Sequence, residues 1–247
     1  VKMVFKDLMI SMINIYMPEK PVVRNTMARP ILSSHHLTRP LSDSFAINNL
    51  TFKVLRGEIF GIVGPAKAGK TTIIKLLTGQ LVATSGIISI LGKPIDLWDA
   101  SLHEKIGILM DSIHINSKLS IAQVLANITT EQSLDPHSIL ILLDSIQLED
   151  TSQSVSSLSY SQQLGFAIIC AVLQRPTLLF IDIDAFPNDT LALKKLLFVI
   201  QKLKITIILT TTSITAAASV CNTYITIAKG SIFEHNSGIQ DISSTID

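Results

Sequence analysis

Ile59-Phe60-Gly61-Ile62-Val63-Gly64-Pro65-Ala66-Lys67-Ala68-Gly69-Lys70-Thr71-Thr72 is the stretch on which the fold turns. A short apolar run of buried-strand type comes first, glycine punctuation follows, and the chain from Thr71 to Thr78 has helical spacing. Within it, Gly64 to Thr71 satisfies G-x-x-x-x-G-K-[ST] in full, in the strand–loop–helix context that makes this pattern a phosphate site. The chemistry needs that order. Backbone N–H groups of the loop and the positive end of the helix face an anion, Lys70 supplies a cation to the terminal phosphates, and the Thr71 hydroxyl can ligate Mg²⁺. Lys67 stands where most such loops carry glycine. If that position needs a positive φ, a lysine there costs on the order of 1 kcal/mol, and its extra cation offsets part of the loss.

Outward from this loop the pattern is α/β. Strand alternation at Leu50–Val54 precedes the loop, and strands are expected at Ile87–Leu91, Ile106–Met110, Leu178–Asp182, Ile205–Leu209 and Tyr224–Ile227. Residues 113–172 are mainly helical in pattern, with a polar stretch at Glu149–Ser157. Strands alternating with helices predict a mostly parallel sheet covered on both faces.

The 247 residues suffice for one substantial domain, and 47% are apolar. A formal net charge of +1 gives no reason to expect a polyanion-binding surface, so no nucleic-acid partner is expected. Cys170 and Cys221 lie in apolar runs and read as buried hydrophobes in a reducing compartment. His35, His36, His103 and His114 lack partners at metal spacing. No stretch reaches the roughly 18 apolar residues of a membrane span, and the run Leu8–Met17 has no small-residue cleavage site after it, so no secretory signal is expected. Residues 1–28 form an N-terminal extension that reads either as a membrane-surface helix or as a segment of no fixed role.

Residues 31–234 resemble the ATP-binding-cassette (ABC) ATPase family in six stretches in the right order. Ala46–Val54 is similar to the strand before the phosphate loop, and Leu77–Gly86 to the L-x-G-x-x-x-P-x-S-G stretch. Leu158-Ser159-Tyr160-Ser161-Gln162 stands where the LSGGQ signature belongs. Pro176–Asp182 resembles the Walker B strand, with Asp189 at the D-loop position, Ile208–Thr212 the strand ending in the switch histidine, and Ile227–Ile232 the late hairpin. The resemblance implies a P-loop NTPase (RecA-like) core with an antiparallel β lobe and a helical subdomain around residues 113–170, all within a nucleotide-binding domain at 29–247. It also implies ATP and Mg²⁺ as cofactors, held by Gly64, Pro65, Ala66, Lys67, Ala68, Gly69, Lys70, Thr71, Thr72 and Asp182. Such domains close in pairs, each loop facing the partner's signature, and drive transmembrane permease subunits from the inner face of the cell membrane. The Leu77-Thr78-Gly79 stretch is closer to exporter-type subunits than to importers.

Against that family pattern the departures are specific. The general base directly after the Walker B Asp is Ile183, and such a loss typically costs about 10²–10⁴-fold in rate. Asp184 is one residue on, where strand alternation aims it elsewhere. The switch histidine corresponds to Thr212, the metal-and-water glutamine to Asp111, and the two signature glycines to Tyr160 and Ser161. The adenine-stacking aromatic corresponds to Leu41, removing a contribution of ~1–3 kcal/mol. The expectation is a subunit that binds Mg–ATP and hydrolyses little or none, paired with a second ABC subunit. The alternatives are a nucleotide-free scaffold and an active ATPase with atypical residues.

Overall fold

The computed structural model describes residues 29–41, 45–97, 100–110, 118–129, 134–182 and 190–237. The N-terminal extension lies outside them, as do Asp111, His114, Ile183, Asp184 and Asp189.

Two sheets organise the chain. The larger has six strands: β3 (Ile59–Val63), β6 (Ile106–Met110), β7 (Leu178–Asp182), β8 (Thr206–Thr211), β9 (Thr223–Ala228) and β10 (Ser231–Ser237), in the order β10-β9-β3-β8-β7-β6. All its pairings are parallel except β10 against β9. Every residue of β3, β7 and β8 is buried, which is why these strands read as unbroken apolar runs and not as alternating ones. The smaller sheet is antiparallel, with β1 (Leu32–Leu41), β2 (Phe45–Val54), β4 (Ser85–Ile90) and β5 (Lys93–Pro94) in the order β2-β1-β4-β5.

β1 is longer and more polar than a pattern reading supports. The Ser34 hydroxyl, fully buried, donates to Leu50 O and accepts from Phe52 N, so a polar residue fits the interior. Irregular register between Ser34 and Arg39, with His36 at φ 50°, breaks the alternation. Pro40 pairs with Ala46 of β2 but lies beyond Thr38, where the pairing with β4 ends, at an edge that tolerates proline.

Helices cover both faces of the large sheet. On one side lie α1 (Lys70–Leu77) and the antiparallel sheet; their Ile73, Leu77, Leu50 and Ile90 form one apolar cluster with Ile62, Phe180 and Ile208. Phe52 of β2 stacks on Phe60 of β3 with ring centroids 5.4 Å apart, tying the lobes together. The other side holds α4 (Pro136–Ser145), α5 (Tyr160–Val172), α6 (Thr190–Lys202) and α7 (Ile214–Val220). There Leu143, Phe166, Leu197 and Ala217 meet Leu179, Ile181 and Leu209. Each fully buried side chain of this size contributes roughly 1.5–3 kcal/mol. The period-2 alternation has one consequence for the site. Leu178 and Phe180 face α1, so Asp182, two residues further, ends the same row.

Two short helices, α2 (Ala100–His103) and α3 (Ile121–Ile128), complete the fold. Capping starts several helices locally. Ser120 forms a capping box with Gln123 before α3, and Asp135 accepts from Ser138 N before a proline-led α4. Ile146 packs so closely on Gly165 of α5 that a Cβ there would lie 2.6 Å from Ile146 Cγ2.

Candidate nucleotide-binding site

The loop Gly64–Gly69 joins β3 to α1 at the carboxyl end of the parallel strands, where ligands of open α/β sheets bind. Neighbouring strands hold it. Gly64 N donates to Thr211 O at 3.1 Å, and Ala68 O accepts from Gly230 N at 3.1 Å, in the turn between β9 and β10. Gly230 O in turn accepts from Asn48 N of β2. A Cβ on Gly64 would meet Ile227 O at 2.6 Å, so only glycine lets the loop lie this close to β9. Gly69, at φ 104°, opens α1 without a capping side chain, and the first turn carries no acidic residue. The leading N–H groups of a helix have no intrahelical acceptor. Here no side chain caps them, and a helix start without an acidic residue favours an anion.

Lys67 adopts φ 64°, the left-handed region that the glycine of most such loops would enter at no steric cost. Its side chain is exposed, as are Pro65 and Ala66. Lys70 is the opposite case. It is 3% exposed, and its Nζ donates to Gly64 O and Pro65 O at 3.1 Å each. Its cation therefore sits inside the loop it belongs to. Thr71 and Thr72 follow on the first turn, both half-buried.

Asp182 ends β7 at 1% exposure. Its Oδ1 accepts from Thr210 Oγ1 at 2.6 Å; its Oδ2 is buried and, among the described residues, accepts no hydrogen bond. A buried carboxylate oxygen without a donor carries a desolvation cost that a metal or its water shell removes. Among the described residues no three His, Cys, Asp or Glu gather as a protein-only metal cage. One carboxylate, one hydroxyl and a phosphate are the set that suits Mg²⁺, which prefers oxygen and keeps much of its water. The residues present fit a Mg–nucleotide.

The signature stretch is folded onto itself. Ser159 is the N-cap of α5: its Oγ accepts from Gln162 N at 3.3 Å, and Gln162 Oε1 accepts from both Ser159 N and Ser159 Oγ. Gln162 Nε2 donates to Gln147 O. Leu158 is buried, Ser161 half-buried, and the Tyr160 ring, 54% exposed, stands out at the first position of the helix. Thr212 lies exposed just beyond β8 and carries no charge. Leu41 is the last residue of β1, paired with Phe45. Asp111 and Ile183 lie outside the described residues.

The family described as "ABC transporter" matches residues 47–183, more than half of the chain. The chain belongs to the ABC transporter family. It is 31% identical over 179 residues to an uncharacterized ABC transporter ATP-binding protein, YcbN, of Bacillus subtilis, covering 67% of this chain and 55% of that one. A fluoroquinolones export ATP-binding protein of Mycobacterium tuberculosis is 30% identical over 194 residues, covering 76% and 64%. The ABC domain thus spans less than two thirds of either relative. In fold it is similar to the solved cbiO1 of Clostridium perfringens, part of the ABC transporter complex cbiONQ, with a TM-score of 0.72 at 23% identity over 84% of this chain and 88% of that one.

Sequence reasoning passed over two parts of this ABC site. Gly230 holds the loop through a backbone bond, and Thr210 meets Asp182 across a strand pair. Parallel register alone could have found Thr210, which lies opposite Asp182 in the ladder.

The remaining candidates carry structural roles. His36 Nδ1 lies 2.6 Å from Asn49 Oδ1 in the β1 irregularity, and His35 and His103 are exposed. Both cysteines are free; burial pushes the Cys170 thiol up to about 12 and raises that of Cys221 as well.

Proposed function

We propose that this ABC domain, residues 29–247, holds Mg–ATP and turns it over slowly or not at all, as the nucleotide-holding subunit of an exporter-type transporter. The observation that carries the reading is the pairing of Lys70, enclosed by loop carbonyls, with Asp182, whose buried Oδ2 has no donor among the described residues. In this reading Gly64, Pro65, Ala66, Lys67, Ala68 and Gly69 surround the phosphates with backbone, Lys70 neutralises their charge, and Thr71, Thr72 and Asp182 serve the metal side. A bound Mg²⁺ would supply charge neutralisation for the phosphates. The residue directly after Asp182 is Ile183, which cannot accept a proton, and Thr212 offers no imidazole. The capping box ties Ser159 and Gln162, two of the signature's polar side chains, to each other.

The partners in this reading are transmembrane permease subunits and a second ABC subunit, with the domain peripheral on the inner face of the cell membrane. No helix among the described residues is long and apolar enough to cross a membrane, so transport would use separate or additional segments. The export assignment draws on the relative named for fluoroquinolone export.

The test is equilibrium binding of Mg–ATP to the purified chain, with Lys70→Ala as control, and steady-state phosphate release in parallel. Saturable binding lost in Lys70→Ala, with negligible release, supports the reading. Steady turnover abolished by Lys70→Ala overturns its second half. Absence of binding at millimolar ATP overturns the first and leaves a scaffold with an inherited loop.

A further inference from the structure

Asp182 and Thr210 occupy one register position of the adjacent parallel strands β7 and β8. Side chains at matched positions of a parallel pair project to the same face, here the one covered by α1. Thr210 is 0% exposed and gives its only hydroxyl proton to Asp182 Oδ1 at 2.6 Å, the length of a charge-assisted bond. The two oxygens of Asp182 are thereby made unequal: one is tied to β8, and Oδ2 is buried with no donor among the described residues. The terminal torsion of an aspartate is otherwise broad and nearly two-fold, so a single short bond to a fixed strand selects one carboxylate plane.

Neither neighbouring threonine can take this part. Thr211 belongs to the opposite row of the strand, and its Oγ1 accepts from Ser213 N at 3.1 Å. Thr212 is exposed beyond the strand end.

We infer that Thr210 is the positioning residue of the metal site: it fixes Asp182 so that Oδ2 faces the divalent cation, or a water in its shell, that accompanies the nucleotide. This rests on the Mg–nucleotide reading above. Partners of this outer kind orient the ligand and set metal affinity, and their loss typically costs about 10–100-fold in it.

The experiment compares wild type, Thr210→Val, Thr210→Ser and Asp182→Asn as full chains. ATP affinity is measured by calorimetry with Mg²⁺ and again in EDTA, and Mn²⁺ uptake by the ATP-loaded protein is followed by electron paramagnetic resonance. In wild type, metal tightens ATP binding. Thr210→Val cuts that metal-dependent ratio about tenfold or more while leaving the EDTA affinity unchanged; Thr210→Ser restores it. Asp182→Asn keeps an acceptor for Thr210 but loses the ratio. If Thr210→Val does not fold, Thr210→Cys, a weak donor of similar size, shifts the ratio in the same direction.

A Thr210→Val protein with the wild-type ratio overturns the proposal and leaves the nucleotide reading intact. So does one weakened equally with and without metal, which would make Thr210 merely structural. Wild type binding ATP equally well in Mg²⁺ and EDTA overturns the metal site itself. Wild type binding no ATP in either condition removes the nucleotide reading, and this proposal with it.

Discussion

Lys67→Gly is expected to stabilise the domain, although it removes a residue from the centre of the proposed site. Lys67 holds φ 64° with an exposed side chain. For an L-residue the left-handed conformation costs roughly 1–2 kcal/mol, which glycine avoids. Glycine loses more chain entropy on folding, and this takes back about 0.5–1 kcal/mol. Exposure means that little packing is lost with the side chain. The net gain is about 0.5–1 kcal/mol, which in a domain of this size raises Tm by roughly 1–4 °C. Lys67→Ala separates strain from charge: it removes the cation but keeps the Cβ, so it should leave Tm near the wild type. Thermal unfolding of the three proteins without nucleotide, at one pH and ionic strength, reads the difference. The same proteins then report on the cation, since Lys67→Ala changes ATP affinity only through lost charge. A Tm for Lys67→Gly at or below that of Lys67→Ala would refute the strain argument.

Three other outcomes follow from the geometry. Gly64→Ala drives a Cβ to within 2.6 Å of Ile227 O and should destabilise by about 1–3 kcal/mol in urea unfolding, with loss of ATP binding as the loop shifts. Asp135→Ala removes the N-cap of α4 and should cost about 1 kcal/mol at neutral pH. Hydrogen bonds from the Ser138 hydroxyl and backbone hold the Asp135 carboxyl below its ordinary value. Its contribution is therefore present above the unfolded carboxyl pKa and lost as pH falls through the lower folded one, so the gap between wild type and Asp135→Ala should close in Tm scans below about pH 4. Cys170, its thiol pushed up to about 12 by burial, and the buried Cys221 should resist iodoacetamide at pH 8 in the native protein and react in urea, as mass spectrometry would show.

How much of this was legible depended on whether the relevant physics is local. Strands β3, β6 and β7 have the bounds expected of them because each is a short apolar run closed by glycine, proline or a polar turn. β8 and β9 were placed to within two residues at either end. β1 carries no strand pattern in the sequence, and β10 is expected only as the second arm of the hairpin at Ile227–Ile232. Ser34 is buried by hydrogen bonds to the next strand, and β10 is an edge strand with Phe233 82% exposed, so neither carries an apolar period. The phosphate loop was legible because its parts are contiguous, and even the left-handed turn at Lys67 could be posed as a condition. Thr210 was not, since among three successive threonines only cross-strand register singles it out.

The same distinction bears on what retention of the phosphate loop means. Gly64 and Gly69 do not by themselves argue for a nucleotide: a Cβ on Gly64 would collide with Ile227, and one on Gly69 would approach Ile47 Cδ1 at 2.8 Å. Packing against backbone requires glycine at Gly64, and the φ of 104° favours it at Gly69. Lys70 and Asp182 are different. Burying an ammonium or a carboxylate costs stability that an apolar residue of similar volume would not, unless each charged atom is fully satisfied. Lys70 donates to the Gly64 and Pro65 carbonyls, but Asp182 Oδ2 has no compensation among the described residues. Among the described residues no folding contact accounts for that oxygen, whereas a cation held with a nucleotide would. Thr212 and Tyr160, by contrast, are exposed positions whose change costs the fold little. The departures thus include exposed positions that only turnover would need, and the buried charges that remain are those that binding would need.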